Sequence, residues 1–184
     1  GRMELEVVTQ GVSTHGSQPD RGRNAIALMA PIVSALGRLH QQLEAPHPFL
    51  GRGSMAVTGI SSRSPSHTAI PDECSIHLDR RLTIGESAEE ALEQVRSLPE
   101  VVEAAAEARV LDYDLPSWRG VTYPTQKVFP AWECAEDSPA VRAAFDAAQR
   151  VLGREPRTHR SAFSSNGCAT AGVFDIPTVG FGPA

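Results

Sequence analysis

Between Cys74 and Leu82 the chain alternates with a period of two: Cys74, Ile76, Leu78 and Leu82 are apolar, while Ser75, His77, Asp79 and Arg81 are polar. That period puts one set on each face of a strand, so the segment reads as a strand with one face buried and the other in water. Arg80 stands in the apolar register and breaks it. A sheet covered on one face only suits antiparallel pairing, with its helices gathered on the covered side.

The remaining elements fit that requirement. Met3, Leu5 and Val7 alternate with Glu4 and Glu6, which predicts a first strand, and Ser54–Ile60 predicts another, after a loop with Pro46, Pro48 and two glycines. Asn24 is placed to cap a helix with two apolar stripes, Ile26/Met29/Val33/Leu36 and Leu28/Ile32/Ala35/Leu39; such a helix has its own sheet and a partner subunit to pack on. Pro31 falls inside it and predicts a kink or a later start. Ser87 and Glu90 form a capping-box pattern for a helix over 88–98, and Glu107–Asp114 predicts a fourth strand. The order is βαββαβ. It predicts an α+β, ferredoxin-like plan: a four-stranded antiparallel sheet, two helices on one face, the other face open.

From about residue 116 the texture changes to proline and aromatics, and both tryptophans and both tyrosines fall between 113 and 132. This suggests a boundary, with one domain over 1–115 and a crossover plus an incomplete α/β segment over 116–184. In the latter, Ser138 and Pro139 open a helix that Gly153 closes, followed by a strand near Ser161–Phe163, a helix over 167–174 and a strand over Ile176–Gly180.

A net charge of −5 with one lysine, Lys127, and no basic run leaves no electrostatic footprint for a nucleic acid or an anionic lipid, so neither partner is expected. No apolar stretch is long enough to span a bilayer and no secretory core opens the chain, so the cytoplasm is expected. Cys74, Cys134 and Cys168 are widely separated, which predicts packed thiols rather than disulfides or a zinc site. No G-x-S-x-G, P-loop, G-x-G-x-x-G or H-E-x-x-H motif occurs.

Three blocks carry a family resemblance. Gly11-Val12-Ser13-Thr14-His15-Gly16-Ser17-Gln18-Pro19 with Gly22-Arg23-Asn24-Ala25-Ile26 resembles the opening of the lid, or dimerisation, domain of M20 zinc-dependent amidohydrolases and exopeptidases. Ile70-Pro71-Asp72-Glu73-Cys74 leading to Leu78-Asp79-Arg80-Arg81-Leu82-Thr83 resembles the family's P-D-x-C … D-x-R strand, and Gly180-Phe181-Gly182-Pro183 its G-F-G-P turn. The blocks around Trp118, Tyr123, Trp132 and Phe163–Gly167 are similar to the selenium-metabolism hydrolase branch. The resemblance implies a homodimeric hydrolase with two zinc ions, acting on a small acylated or carbamoylated amino acid or a peptide. Family metal ligands precede the lid and follow G-F-G-P. The chain thus resembles the lid plus part of the catalytic domain, expected to hold no metal and to do no chemistry alone.

Site residues follow by position. His15 matches the lid histidine that reaches the partner's active site and donates to the oxyanion; the plain alternative is a turn histidine. Arg81 matches an arginine that contacts a substrate carboxylate, against a salt bridge with Asp79. Ser164, Ser165 and Asn166 match a substrate-positioning loop, with Asn166 where many relatives have Asp, and Asn166-Gly167 also suits a turn. Thr68 stands where many relatives have a substrate-contacting asparagine, with His67 beside it. The competing class is a non-catalytic ferredoxin-like dimerisation or small-ligand-binding regulatory module.

Overall fold

Met3, Leu5, Val7 and Thr9 point to one side of β1 (Arg2–Gln10) and are fully buried. The structure, a computed structural model, describes residues 1–44 and 47–182; Pro46 and Pro183 lie outside them. β1 pairs antiparallel with β3 (Glu73–Arg81) from Arg2 opposite Arg81 to Gln10 opposite Glu73. On its other side it meets β4 (Glu107–Val110). β2 (Ser54–Arg63) pairs with the far side of β3 and forms the edge, giving the order β2-β3-β1-β4. Helices α1 (Ala25–Gln42) and α2 (Ala88–Arg96) fill in the βαββαβ order of the ferredoxin-like plan.

The two strand alternations meet α1 and α2 in one core, where Met3, Leu5, Ile76 and Leu78 join Met29, Ile32, Leu36 and Val95. Thr9 is buried but satisfied. Its hydroxyl reaches the Ala25 carbonyl at 2.9 Å and so ties the start of α1 to the sheet. Asn24 caps α1 as expected, its Oδ1 accepting from Ile26 N and Ala27 N.

Several expectations are corrected. α1 is continuous through Pro31, which lies on its exposed side, so the helix does not start later. Apart from Ile26, which is exposed, its two stripes merge into one broad face: Ile32 and Ala35 are core residues, and Leu28 and Leu39 pack partly buried against the same core. Outward positions include the small Ala27, Ala30, Ser34 and Gly37 beside the larger Ile26 and Arg38. The helix expected over 88–98 ends at Arg96, and a separate α3 (Pro99–Ala104) follows. Pro99 has no N–H to continue α2 and holds Leu98 extended. β2 runs to Arg63 with a bulge between Val57 and Gly59, longer than expected.

The fourth strand stops at Val110 rather than 114. Beyond it β5 (Asp112–Tyr113) leaves the sheet to pair with β6 (Thr125–Gln126), and β7 (Val128–Phe129) returns to extend the edge along Met3 and Arg2. α4 (Pro139–Leu152) has its Ser138 cap and its Gly153 at φ 64°. α5 is a single turn, Gly167–Thr170, shorter than expected. The segments 161–163 and 176–180 form no strand among the described residues. A strand needs a neighbour for its N–H and C=O groups, and none lies beside these segments, where Phe163 is 83% exposed.

Candidate functional site

The loop after β1 closes on itself. Val12 and Arg23 exchange backbone bonds of 2.8 and 2.9 Å, which leaves residues 13–22 projecting from the sheet end. His15 sits there, exposed, bridged to Ala69. Gly16 N donates to Thr68 O at 2.7 Å, and a Cβ on Gly16 would lie 2.7 Å from that oxygen, so this approach requires glycine. His15 and Thr68 are therefore brought together at one end of the sheet, beside the β2–β3 turn.

The His15 ring is oriented by a residue that sequence reasoning did not single out. Ser17 N donates to His15 Nδ1 at 3.2 Å, and Ser17 Oγ lies 2.8 Å from the same nitrogen. A backbone N–H can only donate, so Nδ1 is the acceptor and the neutral ring carries its proton on Nε2. That N–H points away from the Ser17 contact as a donor for an outside acceptor. The signal in the sequence was a hydroxyl two residues from the histidine, a common local side chain–backbone arrangement.

Arg81 lies at the opposite end. Its guanidinium pairs with Asp79, Nε to Oδ1 at 2.5 Å and Nη2 to Oδ2 at 2.9 Å, as the salt-bridge alternative expects. Nη1 donates to Ala162 O at 3.2 Å, drawing in the loop that carries Ser164, Ser165 and Asn166, all three exposed. Asn166 is helical and opens α5 through its carbonyl, without a side-chain cap, so it is not the centre of a simple turn. Arg81 and the 164–166 loop thus form a second group. A ligand carboxylate finds the Arg81 fork partly occupied, with Asp79 fixing the plane of the guanidinium and the outer N–H groups left over.

The two groups do not meet within one chain. Eight residue steps along β3 separate Glu73, beside the His15 end, from Arg81, which at about 3.3 Å per step is roughly 26 Å. Between them the open sheet face is polar. Glu4 accepts from Lys127 at 2.8 Å, pairs with His77 Nε2 at 3.2 Å and faces Arg2 at 3.3 Å. Burial works against the Glu4 charge, but the bonds from Lys127 and His77 and the positive charges of Lys127 and Arg2 outweigh it and hold the carboxyl below its ordinary 4.5. Glu6 pairs with Arg109 at 2.6 Å, and Ser61 with Ser75 at 2.8 Å. Such a face suits water or a polar ligand, not a packed partner.

Among the described residues no three His, Cys, Asp or Glu side chains converge to hold a metal ion. The zinc pair that the resemblance implies therefore does not fit this chain's own residues. No described helix is long and apolar enough to cross a membrane.

Residues 1–107 match the peptidase dimerisation domain of the M20 type. Over 183 residues the chain is 45% identical to "Uncharacterized protein YgeY" of Escherichia coli strain K12, a match covering 100% of this chain and 45% of that protein. The chain thus spans less than half the length of that relative. A tripeptidase from Staphylococcus aureus has the same fold, with a TM-score of 0.65 at 20% identity over 96% of this chain and 41% of its own. So does an M20 family metallo-carboxypeptidase from Sulfolobus solfataricus, at 0.63 and 17% over 96% and 48%. With a family match over more than half its residues on a sheet and helix arrangement that those structures share, the chain belongs to the M20 peptidase dimerisation-domain family.

Proposed function

We propose that the longer protein to which this chain corresponds is a cytoplasmic, dimeric, metal-dependent amidohydrolase. It cleaves an amide bond of a small acylated or carbamoylated amino acid or a peptide. In this reading residues 1–115 are the lid and dimerisation domain, and 116–184 are the crossover and part of the catalytic domain. Two zinc ions belong to the remainder of the protein. The selenium-metabolism branch rests on the sequence blocks alone and names no substrate.

The observation that carries this reading is the roughly 26 Å separating the two groups of site residues along β3. β2 is an edge strand running from Ser54, opposite Arg81, to Arg63, opposite Glu73. A two-fold axis that sets β2 antiparallel to its copy brings the His15 end of one protomer to the Arg81 end of its partner. His15 Nε2–H then donates to the oxyanion developing in the partner's site, Arg81 and Thr68 contact substrate, and Ser164, Ser165 and Asn166 position it. One oxyanion donor is worth about 10²- to 10³-fold in rate.

The test uses the full-length protein and a panel of N-acyl and N-carbamoyl amino acids and dipeptides. His15→Ala, inactive, is mixed with a variant lacking a metal ligand, also inactive, and subunits are exchanged. Each mixed dimer then holds one site with both an intact metal centre and an intact donor, so activity returns. No recovery after verified exchange removes the in-trans role. No turnover on any panel member by the wild-type dimer favours the non-catalytic module instead.

A further inference from the structure

Among the described residues Arg80 is the largest fully buried side chain, and it stands in the apolar register of β3, between Leu78 and Leu82. Its Nη1 donates to the carbonyl of Arg81 and its Nη2 pairs with Glu86. Glu86 in turn accepts from Thr83 N at 2.8 Å, so the turn after β3 closes around the pair. Space for the pair comes from Gly53, the residue just before β2. A Cβ on Gly53 would fall on Arg80 Nη1 and Arg81 O and lie 2.7 Å from Glu86 Oε2.

Stability is a poor explanation for this arrangement. Desolvating two charges offsets most of their attraction, and apolar residues of similar volume commonly serve as well or better. The site is also incompletely satisfied, since Arg80 Nε and Thr83 Oγ1 are buried without a partner among the described residues. What the pair does achieve is placement. It grips β3 at the carbonyl of Arg81 from the core side, while Asp79 grips the Arg81 guanidinium from the open side. Arg81 then holds Ala162 O and with it the 164–166 loop. A local rule broken beside a candidate site, in a strand otherwise regular, is expected where position matters more than stability.

We propose that Arg80, through its pairing with Glu86, is a positioning residue for Arg81 and, through Arg81, for the loop bearing Ser164, Ser165 and Asn166. This deepens the proposed function and rests on its reading of Arg81 as a ligand contact. The test is made on the full-length protein with three variants: Arg80→Met with Glu86→Met, Glu86→Gln alone, and Arg81→Ala. Two readouts are taken with the thermal midpoint: the rate at which phenylglyoxal modifies Arg81, read by mass spectrometry, and amide hydrogen exchange over 161–166. The double variant is expected to keep or raise the midpoint while Arg81 modification accelerates about tenfold, the factor for losing one charge-assisted hydrogen bond. Loop exchange should rise to the level of Arg81→Ala. Glu86→Gln, which keeps the shape, should move both readouts in the same direction and stands in if the double variant does not fold. A folded variant with both readouts unchanged overturns the proposal, because a core-filling arginine would leave them untouched. Failure of the ligand reading looks different: Arg81→Ala would leave turnover on the N-acyl amino acid panel intact while the Arg80 variants still free the loop.

Discussion

His15 is held by a neighbour two residues away, and that short link makes its role separable from folding. Ser17 N and Oγ keep Nδ1 occupied, so the donor is Nε2–H. His15→Ala in the full-length dimer is expected to lower kcat about 10²- to 10³-fold with the thermal midpoint unchanged. Ser17→Ala should give a smaller loss of the same kind, because the backbone N–H remains; steady-state kinetics beside a melting curve checks both. A stability loss at full activity per folded molecule would return His15 to a turn residue. Glu4 and Lys127 make the opposite case, a pair 123 positions apart. Since the folded Glu4 pKa lies below its ordinary 4.5, the pair adds stability that is present above 4.5 and is lost as pH falls through the lowered folded value. Lys127→Met should cost roughly 1 kcal/mol at neutral pH after allowance for solvent screening, and the difference from wild type should shrink in acid. Urea unfolding at a series of pH values measures it. The Glu4 and Lys127 charges were visible in the chain, but nothing local connected them.

Secondary structure was legible wherever one element sat against one face. β1, β3 and the cap of α1 follow from alternation and from Asn24, because a period of two or a capping side chain acts over a few residues. The errors fall where neighbours decide. The sequence offers two apolar stripes on α1, yet the helix lies on the covered face of the sheet, and Leu28 and Leu39 pack against the same core as Ile32. Leu28→Glu is therefore expected to destabilise the protomer itself, by about 2 kcal/mol or more, rather than only to split a dimer. The edge strand β2 is the better place to probe association. Ile60 is 62% exposed on it, so Ile60→Glu should leave the protomer's melting temperature within about 1 °C and reduce the dimer fraction in light scattering at micromolar concentration. An unaltered dimer would move the interface away from β2.

On the scale of the whole molecule, the part after Phe129 behaves differently from the sheet. α4 buries only Val141 and Ala148, while Phe163, Phe174 and Phe181 are largely exposed. Exposed apolar surface of that kind binds hydrophobic dyes. The 184-residue chain alone is expected to enhance anilinonaphthalene-sulfonate fluorescence and the full-length protein to do so several-fold less; equal signals would mean that nothing covers this surface. The chain's own residues determined the sheet, its covered face and the caps of α1, α2 and α4, because periodicity and capping are local and survive without context, whereas His15, Arg81 and 164–166 are singled out by the family resemblance alone. Tertiary structure alone decided that His15 joins Thr68 while Arg81 joins the 162 carbonyl, that these groups stand at opposite ends of β3, that Arg80 turns inward onto Glu86, and that 161–163 and 176–180 form no strand among the described residues. Each of these depends on which backbone or charge lies opposite in space. A strand without a partner, or a carboxylate without its distant cation, carries no mark of that in the linear order of residues.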